Sequence, residues 1–293
     1  MATLRARIHA SREQLMAAGI DAGEAALDTE LLARQALGWD RATLVARLAD
    51  PPPPGFDVTF APLIERRRGR EPMAYILGTQ EFWGRDFKVA PGVLIPRPET
   101  ELLIEETLAW ASEQDAGSQF QIADVGTGSG CLAITIALEV HGAIVHATDV
   151  SPAALTVAGE NARRLGAAVQ LHQGLLLADV PAPLDLIVSN PPYVARAEYE
   201  LLQPEVRAFE PETALVGGDD GLTVIRELIE AAAAALRPSG RLLMEIGYGQ
   251  AELVGQLVRA NGRLELRQIR DDLQGIPRAV VAARGPGDVT SSE

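Results

Sequence analysis

The sequence predicts an α/β protein: a mostly parallel sheet with helices on its faces, preceded by a small all-helical segment. Two observations predict it. From Gln121 onward the chain repeats strand, loop and helix, the alternation that parallel strands need for their crossovers. Residues 1–70 instead show helical spacing with no strand signal. The chain has 293 residues, 47% apolar and 23% charged, which is globular composition and enough for two domains.

In chain order, Leu4, Ile8, Leu15 and Ile20 lie roughly on one helical face, and Leu27, Leu31, Leu32 and Ala36 repeat the pattern. Asp40 is placed to cap a helix holding Leu44, Val45 and Leu48, which Pro51–Pro54 stops. A last helix runs over 57–68. The domain boundaries follow: a helical domain over 1–70, a hairpin linker over 71–96, a catalytic domain over 97–285 and a disordered tail over 286–293. Phe82, Phe87, Val89 and Val93–Ile95 give the linker its strand composition, broken by Gly84 and Gly92. Beyond it, strands are expected at 121–125, 143–148, 169–172, 184–189, 241–246, 264–270 and 278–283, the last two as an antiparallel pair. Helices are expected at 99–110, 132–140, 152–165, 221–236 and 250–260.

Charge narrows the function. The net charge is −14, and residues 81–293 hold 16 basic against 30 acidic groups. That makes the chain a poor candidate for a protein that draws its affinity from nucleic-acid phosphates. One cysteine, Cys131, excludes an internal disulfide. The four histidines show no ligand spacing, so no metal is expected. No apolar run reaches the roughly 20 residues of a membrane span. Met1–Ala10 lacks the apolar stretch of a secretory leader, so a cytoplasmic location is expected. The basic run Arg66, Arg67, Arg68 and Arg70 reads first as a solvated helix end, the alternative being a contact with an acidic surface of a protein partner.

Two motifs carry chemistry. Asp124-Val125-Gly126-Thr127-Gly128-Ser129-Gly130 follows a strand and opens a helix. Close-set glycines let the backbone approach a ligand, and the helix start offers free N–H groups. The spacing differs from the dinucleotide fingerprint, and the loop lacks the lysine of a triphosphate site. Asp149 ends the next strand, where an acid can hold a ribose diol. A nucleoside with a cationic end fits, with Asp124 facing the cation, and S-adenosylmethionine is such a molecule. The second motif, Asn190-Pro191-Pro192-Tyr193, leaves the fourth strand. Its prolines stiffen the backbone and remove two donors. An acceptor row remains, the Asn190 side-chain oxygen and the Pro191 carbonyl, suited to a substrate –NH₂ on a planar amide or base. Tyr193 offers it an aromatic face.

With these motifs the chain resembles the class I S-adenosylmethionine-dependent methyltransferases, which implies a Rossmann-like seven-stranded sheet. Asn-Pro-Pro-Tyr belongs to the subgroup acting on glutamine amides, adenine N6 or guanine N2. Glu71-Pro72-Met73-Ala74-Tyr75-Ile76-Leu77-Gly78, Glu81-Phe82-Trp83-Gly84, Val93–Glu101 and Asp272-Leu273-x-Gly275-x-x-Arg278 are similar to the HemK/PrmC family. The resemblance implies methylation of N5 of the glutamine in the Gly-Gly-Gln motif of peptide chain release factors, with S-adenosylhomocysteine as product. It implies that Gly126–Gly130 line the methionine part of the cofactor and that Asp149 holds the ribose. It further implies that Asn190, Pro191, Pro192 and Tyr193 hold the glutamine, while Arg97, Pro98, Glu99 and Thr100 cover the cofactor or support the loop. One departure stands out. Where the family has an acid beside the adenine, this chain has Gly174, followed by Leu175, which can still pack on the ring; His172 or Gln173 are candidates to compensate. The helical domain is expected to recognise the protein substrate, and a monomer is expected. The competing readings are a glutamine methyltransferase of a ribosomal protein, a nucleic-acid base methyltransferase, and a non-catalytic cofactor-binding module. Phe209-Glu210-Pro211 and Gly217–Gly221 read equally as a lid or a plain surface loop.

Overall fold

Residues 3–115 and 117–285 are described by a computed structural model. The expected tail over 286–293 lies outside the described residues. The chain separates into two units: residues up to Thr79 with Gln203–Phe209, and Gln80–Leu202 with the chain from Glu210 onward.

The helical unit is built on helices Leu4–Ala17, Ala22–Leu37, Arg41–Ala46, Phe56–Arg68 and Met73–Leu77. Side-chain caps start three of them: Thr3 accepts from Ala6 N, Asp21 from Gly23 N, and Asp40 from Thr43 N at 2.7 Å. Such caps satisfy N–H groups that have no partner inside the helix. The core gathers Leu4, Leu15, Leu32, Leu44, Phe56 and Ile64. Each buried aliphatic side chain contributes about 1.5–3 kcal/mol.

Two expectations fail here for one reason. Helix Ala22–Leu37 buries Ala25, Asp28, Thr29, Leu32 and Ala33. That stripe turns Asp28 inward and leaves Leu27 57% exposed. Arg67 is also not solvated. Its side chain is 2% exposed and bonds to Asp28 at 2.6 Å, Glu24 at 2.6 Å and Glu205 at 3.0 Å. The neighbouring arginines are paired too: Arg66 with Glu71, Arg68 with Glu65, and Arg70 with Glu205. Helix Pro204–Phe209 supplies Glu205 and packs with this unit, although it follows the Asn-Pro-Pro-Tyr motif in sequence.

Strands β1 (Thr79–Phe82) and β2 (Arg85–Lys88) pair as a two-stranded sheet where the larger unit begins at Gln80. The strand composition noted at Val93–Ile95 yields no strand. Instead Ile95 N donates to the buried Glu210 carboxylate at 3.1 Å, which also pairs with Arg97. The main sheet contains β3 (Phe120–Val125), β4 (Ala143–Asp149), β5 (Val169–Gln173), β6 (Leu184–Ser189), β7 (Leu236–Glu245), β8 (Leu264–Asp271) and β9 (Pro277–Arg284). Its order is β5-β4-β3-β6-β7-β9-β8, with β9 antiparallel to both neighbours. Alternate residues feed opposite faces. Leu186, Val188 and Leu243 join one core, while Ile187, Leu242 and Met244 join the other. Strands buried on both sides read as apolar runs, and Leu186-Ile187-Val188 in the fully buried β6 is one. The order reverses between β3 and β6, so the crevice at the C-terminal ends of these strands, with the end of β4 beside it, is the place for a ligand. Among the described residues no helix is long and apolar enough to cross a membrane.

Candidate active site

A cavity of about 260 Å³ opens at that crevice. Gly126 and Gly128 form part of its wall, with Asp149, Leu175, Asn190, Pro191 and Pro192. Val93, Thr148 and Ser189 join them, as do Pro211, Thr213 and Ala214 from beyond the helical insertion.

The glycine loop divides its labour. Gly126 and Gly128 have φ of +75° and +55°, a region that favours glycine. No heavy atom lies within 4 Å of where a Gly126 Cβ would stand, so a side chain there would fill ligand space. Gly130 serves packing instead, since a Cβ would lie 2.8 Å from Ile134 and 3.1 Å from Ala158. Thr127 and Ser129 are buried. Thr127 Oγ1 donates to Asp124 Oδ2 at 2.6 Å, and Ala133 N donates to the same oxygen at 3.1 Å. Thr127, Ser129 and Gly130 therefore brace the loop from behind and are not among the wall residues.

The wall residues fit a nucleoside carrying a cationic end. Asp149 Oδ2 accepts from Gly128 N at 2.9 Å and Oδ1 from Ser151 N at 2.8 Å. A carboxylate offers about four acceptor positions, so two remain for a diol. Asp124 is fully buried, and burial pushes its carboxyl up to about 7. Its Oδ1 has no partner among the described residues, but Asp124 is not on the cavity wall: it braces Thr127 and the helix start from behind and is not placed to meet the cationic end. Leu175 is 62% exposed on the rim, placed to cover a flat ring. At Gly174 a Cβ would stand 2.7 Å from the Ala178 Cβ, so the turn itself excludes an acid there. His172 and Gln173 do not take its place on the wall. His172 Nε2 instead lies 3.0 Å from His146 Nδ1, whose other nitrogen meets Gln121.

At the end of β6 the acceptor row meets a network that the sequence reading missed. Asn190 Nδ2 donates to Thr100 Oγ1 at 2.9 Å, and Thr100 Oγ1 donates to Glu245 Oε2 at 2.6 Å. Tyr193 Oη donates to Glu245 Oε1 at 3.1 Å. Tyr193 is thus bound through its hydroxyl and is not on the wall. Burial, then the Glu245 charge, raises its phenol above the ordinary value. Thr100 likewise supports the row and does not touch the cavity. Glu245 had one visible signal: it is the lone acid in the apolar run Leu242-Leu243-Met244-Glu245-Ile246.

The glycines after Pro211 are a buttress. A Cβ on Gly217 would lie 2.4 Å from Pro192 O, and one on Gly221 would lie 2.4 Å from Tyr193 O. Val194 N donates to Leu215 O, and Gly217 N to Val194 O. Main chain packs on main chain, so the rigid acceptor row is held from its outer side.

Residues 8–78 match the family model described as the PrmC N-terminal domain, and residues 100–206 match the methyltransferase small domain. A release factor glutamine methyltransferase of Cereibacter sphaeroides is 46% identical over 281 residues, covering 95% of this chain and 97% of that protein. One from Geobacter sulfurreducens is 42% identical over 279 residues and covers 95% of both. Among solved structures, a methyltransferase of Pyrococcus furiosus aligns with a TM-score of 0.50 at 18% identity. It covers 70% of this chain and 91% of that one, a likeness of fold.

Proposed function

The chain belongs to the family of release factor glutamine methyltransferases, and from that premise we infer that it methylates N5 of the glutamine in the Gly-Gly-Gln motif of a release factor. The observation that carries the reading is the orientation of Asn190. Its –NH₂ is spent on Thr100, so its oxygen is left to accept at the cavity.

S-adenosylmethionine, when bound, supplies a methyl group on a sulfonium; the amide nitrogen takes it as the carbon–sulfur pair stays on sulfur, leaving S-adenosylhomocysteine. The chain's own residues bind and orient. Gly126 and Gly128 would admit the donor closely, Asp149 would take its ribose hydroxyls and Leu175 would cover its ring, while Asp124, behind the wall, holds Thr127 and the helix start. Thr127, Ser129 and Gly130 hold the loop in shape. Asn190 Oδ1 and the Pro191 carbonyl grip the two N–H groups of the substrate amide. That grip aligns a weak nucleophile whose lone pair is delocalised, and the gain comes from positioning and electrostatics. A strong base is unnecessary, because the nitrogen becomes acidic once methylated and sheds a proton to solvent. Tyr193 stiffens the row through its hydroxyl.

The helical unit recognises the protein substrate, since a glutamine on a loop offers too little surface for affinity. The acidic excess of the larger unit argues against a nucleic-acid partner. A cytoplasmic monomer fits this role.

Methyl-labelled S-adenosylmethionine tests the reading with an intact release factor and one whose Gly-Gly-Gln glutamine is changed to alanine. Label should enter the intact factor alone. Label in both factors, or in neither, would overturn the assignment. A second measurement addresses the cofactor wall. Asp149→Ala removes charge-assisted hydrogen bonds of about 1.5–3 kcal/mol each. It should raise the S-adenosylmethionine Kd about 10- to 100-fold by calorimetry. An unchanged Kd would remove Asp149 from the site.

A further inference from the structure

Glu245 ends β7 at 2% exposure, and nothing in the transfer itself calls on it. Its partners define a chain of hydrogen bonds with one direction. An ionised carboxylate only accepts. The single Thr100 proton is therefore committed to Glu245, and the Thr100 oxygen can only accept from Asn190. Asn190 must then present its –NH₂ to Thr100 and its oxygen to the cavity. We propose that Glu245 is a positioning residue that acts through Thr100 to set which end of the Asn190 amide faces the substrate.

The proposal rests on the methyl-transfer reading above and adds what controls it. Protonated Glu245 can itself donate to Thr100. The Thr100 proton is then free to turn toward Asn190, and the amide can rotate. A rotated Asn190 would point donors at a substrate –NH₂, two donor groups facing each other. Activity therefore requires the ionised form.

The surroundings make that ionisation labile. Burial raises the Glu245 carboxyl to about 7, and Glu99, on the turn before Thr100, adds to the rise. The hydrogen bonds from Thr100 and Tyr193 oppose it, as does Arg278 on β9. The Cys131 thiol also lies near, but burial holds it up at about 12, so it stays neutral. With the base form active, kcat rises with pH through the neutral range and levels above it.

The test is the kcat–pH profile of the wild type, Glu245→Gln and Thr100→Val on a release factor, with cofactor Kd measured alongside. The wild type should show the rise. Glu245→Gln should lower kcat about tenfold and remove the rise, with cofactor Kd unchanged, a pattern that loss of fold does not produce. Thr100→Val should lower kcat similarly, the double variant should lose no more than either single one, and Thr100→Ser should recover most of the loss. A wild-type kcat flat between about pH 6 and 8 would overturn the proposal without any variant. A Glu245→Gln profile that keeps the wild-type rise would overturn it too, as would additive losses. Absence of methylation by the wild type would sink the parent reading instead, so the two failures are distinct.

Discussion

Asn190→Ala is expected to lower kcat/KM for the release factor about 10²- to 10³-fold, the range seen when one preorganised polar group is removed from a reacting centre. The cofactor Kd should stay close to that of the wild type, because the glycine loop and Asp149 are untouched. The reason lies in the geometry around the side chain. Asn190 stands on the cavity wall with its –NH₂ bonded to Thr100. Alanine removes the oxygen that faces the substrate and leaves only the Pro191 carbonyl to orient the nitrogen. The prolines on either side of the Pro191–Pro192 bond keep the backbone stiff, so the loop cannot shift to supply a substitute. The measurement is steady-state methylation of the release factor, with calorimetry for the cofactor. A loss smaller than about threefold would show that Asn190 does not grip the substrate.

Arg67→Ala should destabilise the helical unit by about 3–5 kcal/mol, the cost of leaving a buried charge without its partner. Arg67 is a single guanidinium shared by Asp28, Glu24 and Glu205, and it also donates to the Glu71 carbonyl at 3.3 Å. Asp28 sits in the same core at 3% exposure. Burial already raises its carboxyl above the ordinary value, and Arg67 works against that rise. Without Arg67 the carboxyl climbs further. The native state then binds a proton that the unfolded chain has released, so the stability of the variant falls as pH rises above the unfolded value. Urea unfolding followed by circular dichroism, at acidic and neutral pH, checks both size and sign. Arg67→Met combined with Asp28→Leu should recover much of the loss, because it removes both charges together. Equal stability of wild type and Arg67→Ala would mean that water already pays the solvation of this cluster.

Much of the fold was written locally. Helix Pro152–Leu165 and strand β6 have the expected limits because their signals lie within them: Pro152 after the Ser151 cap, and the apolar run Leu186–Val188 ending at Ser189. The glycine loop and Asp149 were legible for the same reason, each being a short motif at a strand end. Two site assignments were not legible at residue level. The loop sequence offers five equivalent contacts, yet only Gly126 and Gly128 stand on the wall. Tyr193 looks like a free aromatic face in the sequence, but its hydroxyl is claimed by Glu245, 52 residues away.

By itself the sequence determined the α/β architecture, the glycine loop with its acid, the acceptor tetrapeptide and the family. These are recorded in the spacing of neighbouring residues, through helical and strand periodicity and through the backbone limits of glycine and proline. Only the tertiary structure decided which polar groups are buried and what satisfies them. Thr100 reaches Glu245 across 145 residues of sequence, and Arg67 reaches Glu205 across 138. A buried charge is tolerable only beside a partner. Which residue becomes that partner depends on the path of the folded chain, which local spacing does not encode.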